Sequence, residues 1–147
     1  MKRRGLLKSA AVLIAAGLLK PLAALAAWNK AAFSSKTSAD ALKSLGTPAT
    51  EPSAGILIEA PQIAENGAVV PIEITSNIPG TTSIAVLVEK NPYPLVGKFD
   101  FSEGALPFVK INAKMGETSD VRVVATAGGK HYQATREIKV TIGGCGG

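Results

Sequence analysis

From residue 56 onward the chain is written in short β-branched runs separated by turn residues, a pattern that specifies strands and not alternating strands and helices. Seven strands are predicted, at 56–60, 69–76, 82–89, 95–101, 108–113, 121–127 and 130–142. In the second, Val70, Ile72 and Ile74 alternate with Val69, Pro71, Glu73 and Thr75, so one face enters a core and the other meets solvent. In the third, Ile84, Val86 and Val88 oppose Ala85, Leu87 and Glu89, leaving both faces largely apolar. That describes either a central strand or one whose second face a partner covers. Gly128-Gly129 joins two alternating segments at the spacing of a tight hairpin, where two positive φ angles are needed. Seven strands in about ninety residues predict an all-β fold, an immunoglobulin-like antiparallel β-sandwich. A cysteine pair across the sheets is absent, so the likeness is architectural.

Before the strands, residues 28–45 show helical spacing in their second half. Ser38 is the expected cap of a turn carrying Ala41, Leu42 and Leu45, and Gly46 and Pro48 stop it. Trp28 and Phe33 are expected to dock this segment onto the sandwich, with docking onto a partner as the alternative, and Asn91, Pro92, Tyr93 and Pro94 to form an ordered corner. The last strand alternates to its end, with Tyr132, Ala134, Ile138, Val140 and Ile142 against His131, Gln133, Glu137, Lys139 and Thr141.

The formal net charge of +5 raises the question of a polyanionic partner. Five of the sixteen basic residues, Lys2, Arg3, Arg4, Lys8 and Lys20, lie in 1–26 without an acid, so the rest of the chain is balanced. The charge describes a leader, not a surface, and no nucleic-acid partner is expected. That leader has a basic start, an apolar run over 10–19, and small residues ending at Ala24-Leu25-Ala26, the three parts of an export signal. The run is about half of a bilayer span, so no permanent membrane insertion is expected. Arg3-Arg4-Gly5-Leu6-Leu7-Lys8 resembles a twin-arginine signal, although such signals usually have Phe where Leu6 stands, and the general secretory route remains the alternative. The expected organisation is an export signal at 1–26, a helical segment and linker at 27–50, the sandwich at 51–142 and a tail at 143–147. The expected localisation is the periplasm, with the signal cleaved.

The single cysteine, Cys145, cannot form an internal disulfide, so in an exported chain it is an intermolecular link or a free reactive thiol. Gly143, Gly144, Gly146 and Gly147 flank it and have no side chains to pack, which predicts a thin, mobile tether. Three residues beyond Ile142 carry the thiol up to roughly 10 Å from the sheet, far enough to enter a narrow active site. The tail supplies no base, metal partner or helix start to lower the thiol pKa from about 8.5. A mobile, unactivated thiol suits a covalent carrier whose chemistry partner enzymes perform. The alternatives are an exported immunoglobulin-like binding or adhesion module anchored through a Cys145 disulfide, and a terminal cysteine that is simply tolerated. His131 stands beside a hairpin glycine on a polar face and is expected to be solvated. Paired carboxylates, a nucleophile elbow, a phosphate loop and zinc spacing are absent, so neither a self-sufficient enzyme nor a cofactor or metal site is expected.

The signal, the strand pattern and Gly143-Gly144-Cys145-Gly146-Gly147 together resemble the SoxY family, the carrier subunits of periplasmic thiosulfate-oxidising (Sox) systems. Ala41-Leu42-Lys43, Val88-Glu89-Lys90-Asn91-Pro92 and Thr118-Ser119-Asp120-Val121-Arg122 also resemble stretches of that family. The resemblance implies a heterodimer with SoxZ, another immunoglobulin-like protein, and sulfur intermediates held covalently on Cys145. It implies a haem enzyme that oxidatively joins thiosulfate to the carrier thiol and a hydrolase that releases sulfate. The remaining sulfane sulfur is then oxidised, as by a sulfane dehydrogenase, or passed on. The carrier itself is expected to be no enzyme.

Overall fold

The strand-rich pattern closes into two facing layers. The computed structural model describes residues 28–141; the expected export signal, Ile142 and the tail with Cys145 lie outside the described residues. Two short helices, α1 (Lys30–Ser34) and α2 (Ser38–Ser44), precede nine strands. These are β1 (Glu51–Pro52), β2 (Ile56–Glu59), β3 (Ile63–Ala64), β4 (Val70–Ser76), β5 (Thr81–Val88), β6 (Leu95–Asp100), β7 (Phe108–Ala113), β8 (Ser119–Ala127) and β9 (Lys130–Val140). One sheet has the order β1-β9-β8-β5-β6, with β3 also on β9, and the other is β2-β4-β7. The immunoglobulin-like sandwich and the seven predicted strands are present. Two additions are β1 and β3, two residues each, which pair in parallel with β9.

Alternation places the core. Along β4, Val70, Ile72, Ile74 and Ser76 are buried while Pro71, Glu73 and Thr75 face outward. They meet Ile84, Val86 and Val88 of β5, Val121 and Val123 of β8 and Ile138 of β9 between the sheets. Each such side chain contributes about 1.5–3 kcal/mol on burial. The hairpin joining β8 and β9 turns at Gly128 and Gly129, with φ of 56° and 74°, closing on the Ala127↔Lys130 pair as predicted.

The second apolar face of β5 is covered by the chain itself. Ala85 and Leu87 pack with Leu95 and Val124 beneath Ala32, Ala41 and Leu42 of the helices. This decides between the two readings of the third strand: Leu87 is fully buried in a second, smaller core and is not a partner-facing residue. Asn29 caps α1 by accepting from the Ala32 N–H at 3.0 Å, and its amide donates to the Ser44 carbonyl at 2.7 Å, tying the helices together. The cap of α2 is Thr37, not Ser38. Thr37 holds the extended backbone a cap needs and accepts from the Asp40 N–H at 3.1 Å, whereas Ser38 is already helical and buried. Gly46, at φ 75°, ends the helix as expected, with Gly46 and Thr47 donating to the carbonyls of Lys43 and Leu42.

Arg136 interrupts the apolar side of β9. Its guanidinium donates to the carbonyls of Ile58 and Ala60, both at 2.8 Å, and so bridges the two sheets where β2 ends.

Candidate functional site

Antiparallel pairing fixes where the tail leaves the sandwich. Ser119 of β8 pairs with Ile138 of β9, and Val121 pairs with Val88 of β5, so the start of β8 and the ends of β5 and β9 share one end of the molecule. The chain segments 65–69, 89–94 and 114–118 surround that end.

The final residues of β9 are held on both edges. Ile63 and Ala64 pair with Lys139 and Val140, and Lys139 and Thr141 donate to the carbonyls of Gln62 and Ala64 at 3.0 and 3.1 Å. On the other edge the Val140 N–H donates to Thr118 Oγ1 at 3.0 Å. Gly67 closes over this point: Met115 donates to its carbonyl at 2.7 Å, and a Cβ there would overlap the Met115 carbonyl and the Val140 side chain. The predicted attachment residue Cys145, with the arm glycines Gly143, Gly144, Gly146 and Gly147, lies outside the described residues. It lies four positions beyond Thr141, a reach of at most about 14 Å.

Two stretches singled out in the sequence, 88–92 and 118–122, meet here. The Glu89 N–H donates to the Asp120 carbonyl at 3.0 Å, and the Lys90 N–H to Ser119 Oγ at 3.1 Å. Arg122 Nε lies 2.9 Å from Glu89 Oε1, a close ion pair without hydrogen-bond alignment. Beside this junction is a cleft of about 590 Å³. Lys90, Asn91, Pro92 and Tyr93 form one wall, and Lys114, Gly116 and Glu117 the other.

The cleft walls are tied together. Asn91 Nδ2 donates to the Lys114 carbonyl at 2.8 Å, and Val88 donates to the Pro94 carbonyl at 2.8 Å, so the expected ordered corner forms. Lys36, between the helices, places its ammonium 3.7 Å from the Tyr93 ring centre. The polar contact of that ammonium with the phenol, and then its charge, hold the Tyr93 hydroxyl below its ordinary pKa of 10.0. Lys90 and Glu117 approach to 3.7 Å as an exposed pair. Neither Lys36 nor Lys114 stood out in the sequence, because an isolated lysine carries no periodic or motif signal.

Other candidates lie elsewhere. His131 Nδ1 contacts Thr126 Oγ1 at 3.0 Å across the hairpin, about 30 Å along β9 from Val140. It is half-buried, not freely solvated. A second hollow of about 550 Å³, between 76–82 and 101–107, is at this opposite end. The Trp28 and Phe33 rings meet at 5.4 Å, tilted by 52°; Phe33 packs on the smaller core, whereas Trp28 is 63% exposed, so of the two only Phe33 gives the expected intramolecular docking.

A family model described as sulfur oxidation protein SoxY matches residues 41–145. The solved structure of the sulfur carrier protein SoxY from Chlorobium limicola f thiosulfatophilum is similar over 70% of this chain and 96% of its own, at 40% identity and a TM-score of 0.63. Two structures of the superoxide reductase (neelaredoxin) from Ignicoccus hospitalis share the fold alone. Their identities are 19% and 18% and their TM-scores 0.52 and 0.53; they cover 58% and 71% of this chain and 80% and 93% of their own. No curated protein matches. The match over most of the chain, ending on its only cysteine, together with a like-folded relative at this identity, means that the chain belongs to the SoxY family of sulfur oxidation proteins.

Proposed function

We propose that the chain is the covalent sulfur carrier of thiosulfate oxidation, holding intermediates on the Cys145 thiol and presenting them to partner enzymes. The observation that carries this reading is the family match reaching residue 145, the position of the only cysteine. The clamped end of β9 gives the arm a fixed origin, and Gly143, Gly144, Gly146 and Gly147 give it thinness.

The chemistry follows from a thiol without its own catalyst. A haem partner removes two electrons and a proton as the Cys145 sulfur bonds to the sulfane sulfur of thiosulfate, leaving a cysteine thiosulfonate. A hydrolase then adds water across the sulfur–sulfonate bond, releasing sulfate and leaving a persulfide on Cys145. That sulfane sulfur is oxidised further by a dehydrogenase or handed on. In this reading the chain works as a heterodimer with SoxZ, takes no cofactor of its own and is not itself an enzyme. Export by the twin-arginine route, with cleavage after Ala26, places it in the periplasm. Intact-mass analysis of protein purified from its native source tests the reading. Sulfur adducts that a reductant removes support it, and a native protein carrying only unmodified thiol under thiosulfate oxidation contradicts it.

A further inference from the structure

We propose that Asn66-Gly67, in the exposed turn after β3, is a site of spontaneous backbone modification, where the asparagine side chain closes on the Gly67 nitrogen and reopens to an isoaspartyl link. The inference depends on neither the carrier chemistry nor a partner.

Sequence and structure together select this asparagine. The attacking group is the backbone nitrogen of the following residue, so that residue must carry an N–H and leave its approach open. Of the chain's asparagines only Asn66 precedes glycine, which has no Cβ to block the approach. Asn77 precedes β-branched Ile78, and Asn91 precedes Pro92, which has no N–H. Asn29 is engaged through both side-chain polar atoms in the helix cap and on Ser44, and Asn112 is held extended in β7 by the ladder to β4. Asn66 is exposed. Its Oδ1 accepts from the Ala68 N–H at 2.9 Å, which draws electrons from the amide carbon, and the Gly67 N–H donates to no acceptor among the described residues.

The atoms balance with water as the only co-reactant. The Gly67 nitrogen gives its proton to solvent base and bonds to Asn66 Cγ; the side-chain nitrogen takes up a proton and leaves as ammonia, and a cyclic succinimide remains. Water then opens the ring at either carbonyl. Cleavage of the new bond to Cγ gives aspartate at position 66. Cleavage of the old peptide bond gives isoaspartate, which puts the side-chain methylene into the main chain and turns the former backbone carbonyl into a free carboxylate.

The fold holds these two products differently. Gly67 fits closely, since the Met115 N–H donates to its carbonyl at 2.7 Å and an added Cβ would overlap the Met115 carbonyl. Aspartate keeps the chain length and still accepts from Ala68. Isoaspartate lengthens the main chain at this tight point and takes out of it the Asn66 carbonyl that accepts the Val69 N–H at 3.3 Å. The Met115 bond is lost, and the β3 pairing of Ala64 with Val140 loosens as the protein ages.

The test incubates the full mature chain at mildly alkaline pH and locates amide-to-acid conversion by peptide mass spectrometry. Conversion is expected at position 66 ahead of the other asparagines, faster as pH rises, with isoaspartate among the products and none at this position in Asn66→Ser. After chromatographic separation, the isoaspartyl form should exchange its Met115 amide about fivefold faster than unmodified protein, the scale of one lost hydrogen bond, whereas Asn66→Asp exchanges like the wild type. Earlier conversion at another asparagine, aspartate alone at position 66, or unchanged Met115 exchange in the isoaspartyl form overturns the proposal.

Discussion

Val140 donates its backbone N–H to Thr118 Oγ1 at 3.0 Å, a side-chain bond that stands in for the ladder partner β8 no longer supplies. On this edge the end of β9 is therefore held by one hydroxyl from the loop that also walls the cleft, opposite the β3 pairing on the other edge. Thr118→Val keeps the shape and removes the acceptor, which costs about 1 kcal/mol locally. Hydrogen exchange at the Val140 amide is expected to accelerate by roughly fivefold, with little change in global stability. An unchanged exchange rate contradicts this role.

Leu87 tests the second core. Leu87→Ala is expected to destabilise the protein by about 2–5 kcal/mol, and Leu87→Asp by more, because the carboxylate would be buried under α1 and α2 without a partner. Denaturant unfolding measures it. Native stability in Leu87→Asp with loss only of partner binding would return Leu87 to an interface.

The Lys36 and Tyr93 pair ties the helical layer to the cleft. Because its folded-state pKa is lowered, Tyr93 ionises in the native protein before it does in the unfolded chain. The resulting stabilisation is present above the unfolded value near 10 and is lost as pH falls through the lower folded midpoint. Lys36→Met is expected to move the Tyr93 midpoint upward, read by ultraviolet absorbance of the phenolate. An unmoved midpoint removes Lys36 as the cause.

The long strands were legible because Val70, Ile72 and Ile74, or Val121, Val123 and Ala125, repeat with a period that only a half-buried strand satisfies. The parallel pairings of Glu51-Pro52 and Ile63-Ala64 with β9 were not, since two residues have no period and their partners lie far along the chain. Thr37 and Ser38 are adjacent hydroxyl residues, and only the backbone conformation separates cap from first helical residue. The cover over Leu87 was hidden for a related reason: α1 is one turn long, and its buried residue, Ala32, is too small to mark an apolar face. The proposed attachment residue and its glycines, which lie outside the described residues, were read wholly from the sequence. The cleft was not, because Lys90 and Lys114 are brought together only by the folding of β5 and β7 to one end.

The leader predicts the route. With Arg3→Lys and Arg4→Lys combined, twin-arginine transport is expected to stop and precursor to accumulate, while the wild-type chain matures to an N-terminus at Ala27 in the periplasm. Fractionation with N-terminal sequencing measures both. Undiminished export of the double variant would assign the chain to the general secretory route.

Thiosulfate-dependent electron release in a system reconstituted with the partner enzymes tests the central claim most directly. Wild-type protein is expected to support it and to acquire a reductant-sensitive sulfur adduct. Cys145→Ser should lose both while unfolding at the same denaturant concentration, because both cores are built from residues at or before Val140 and serine differs from cysteine by one atom. Full thiosulfate oxidation by Cys145→Ser, or an adduct that persists in it, would contradict the account.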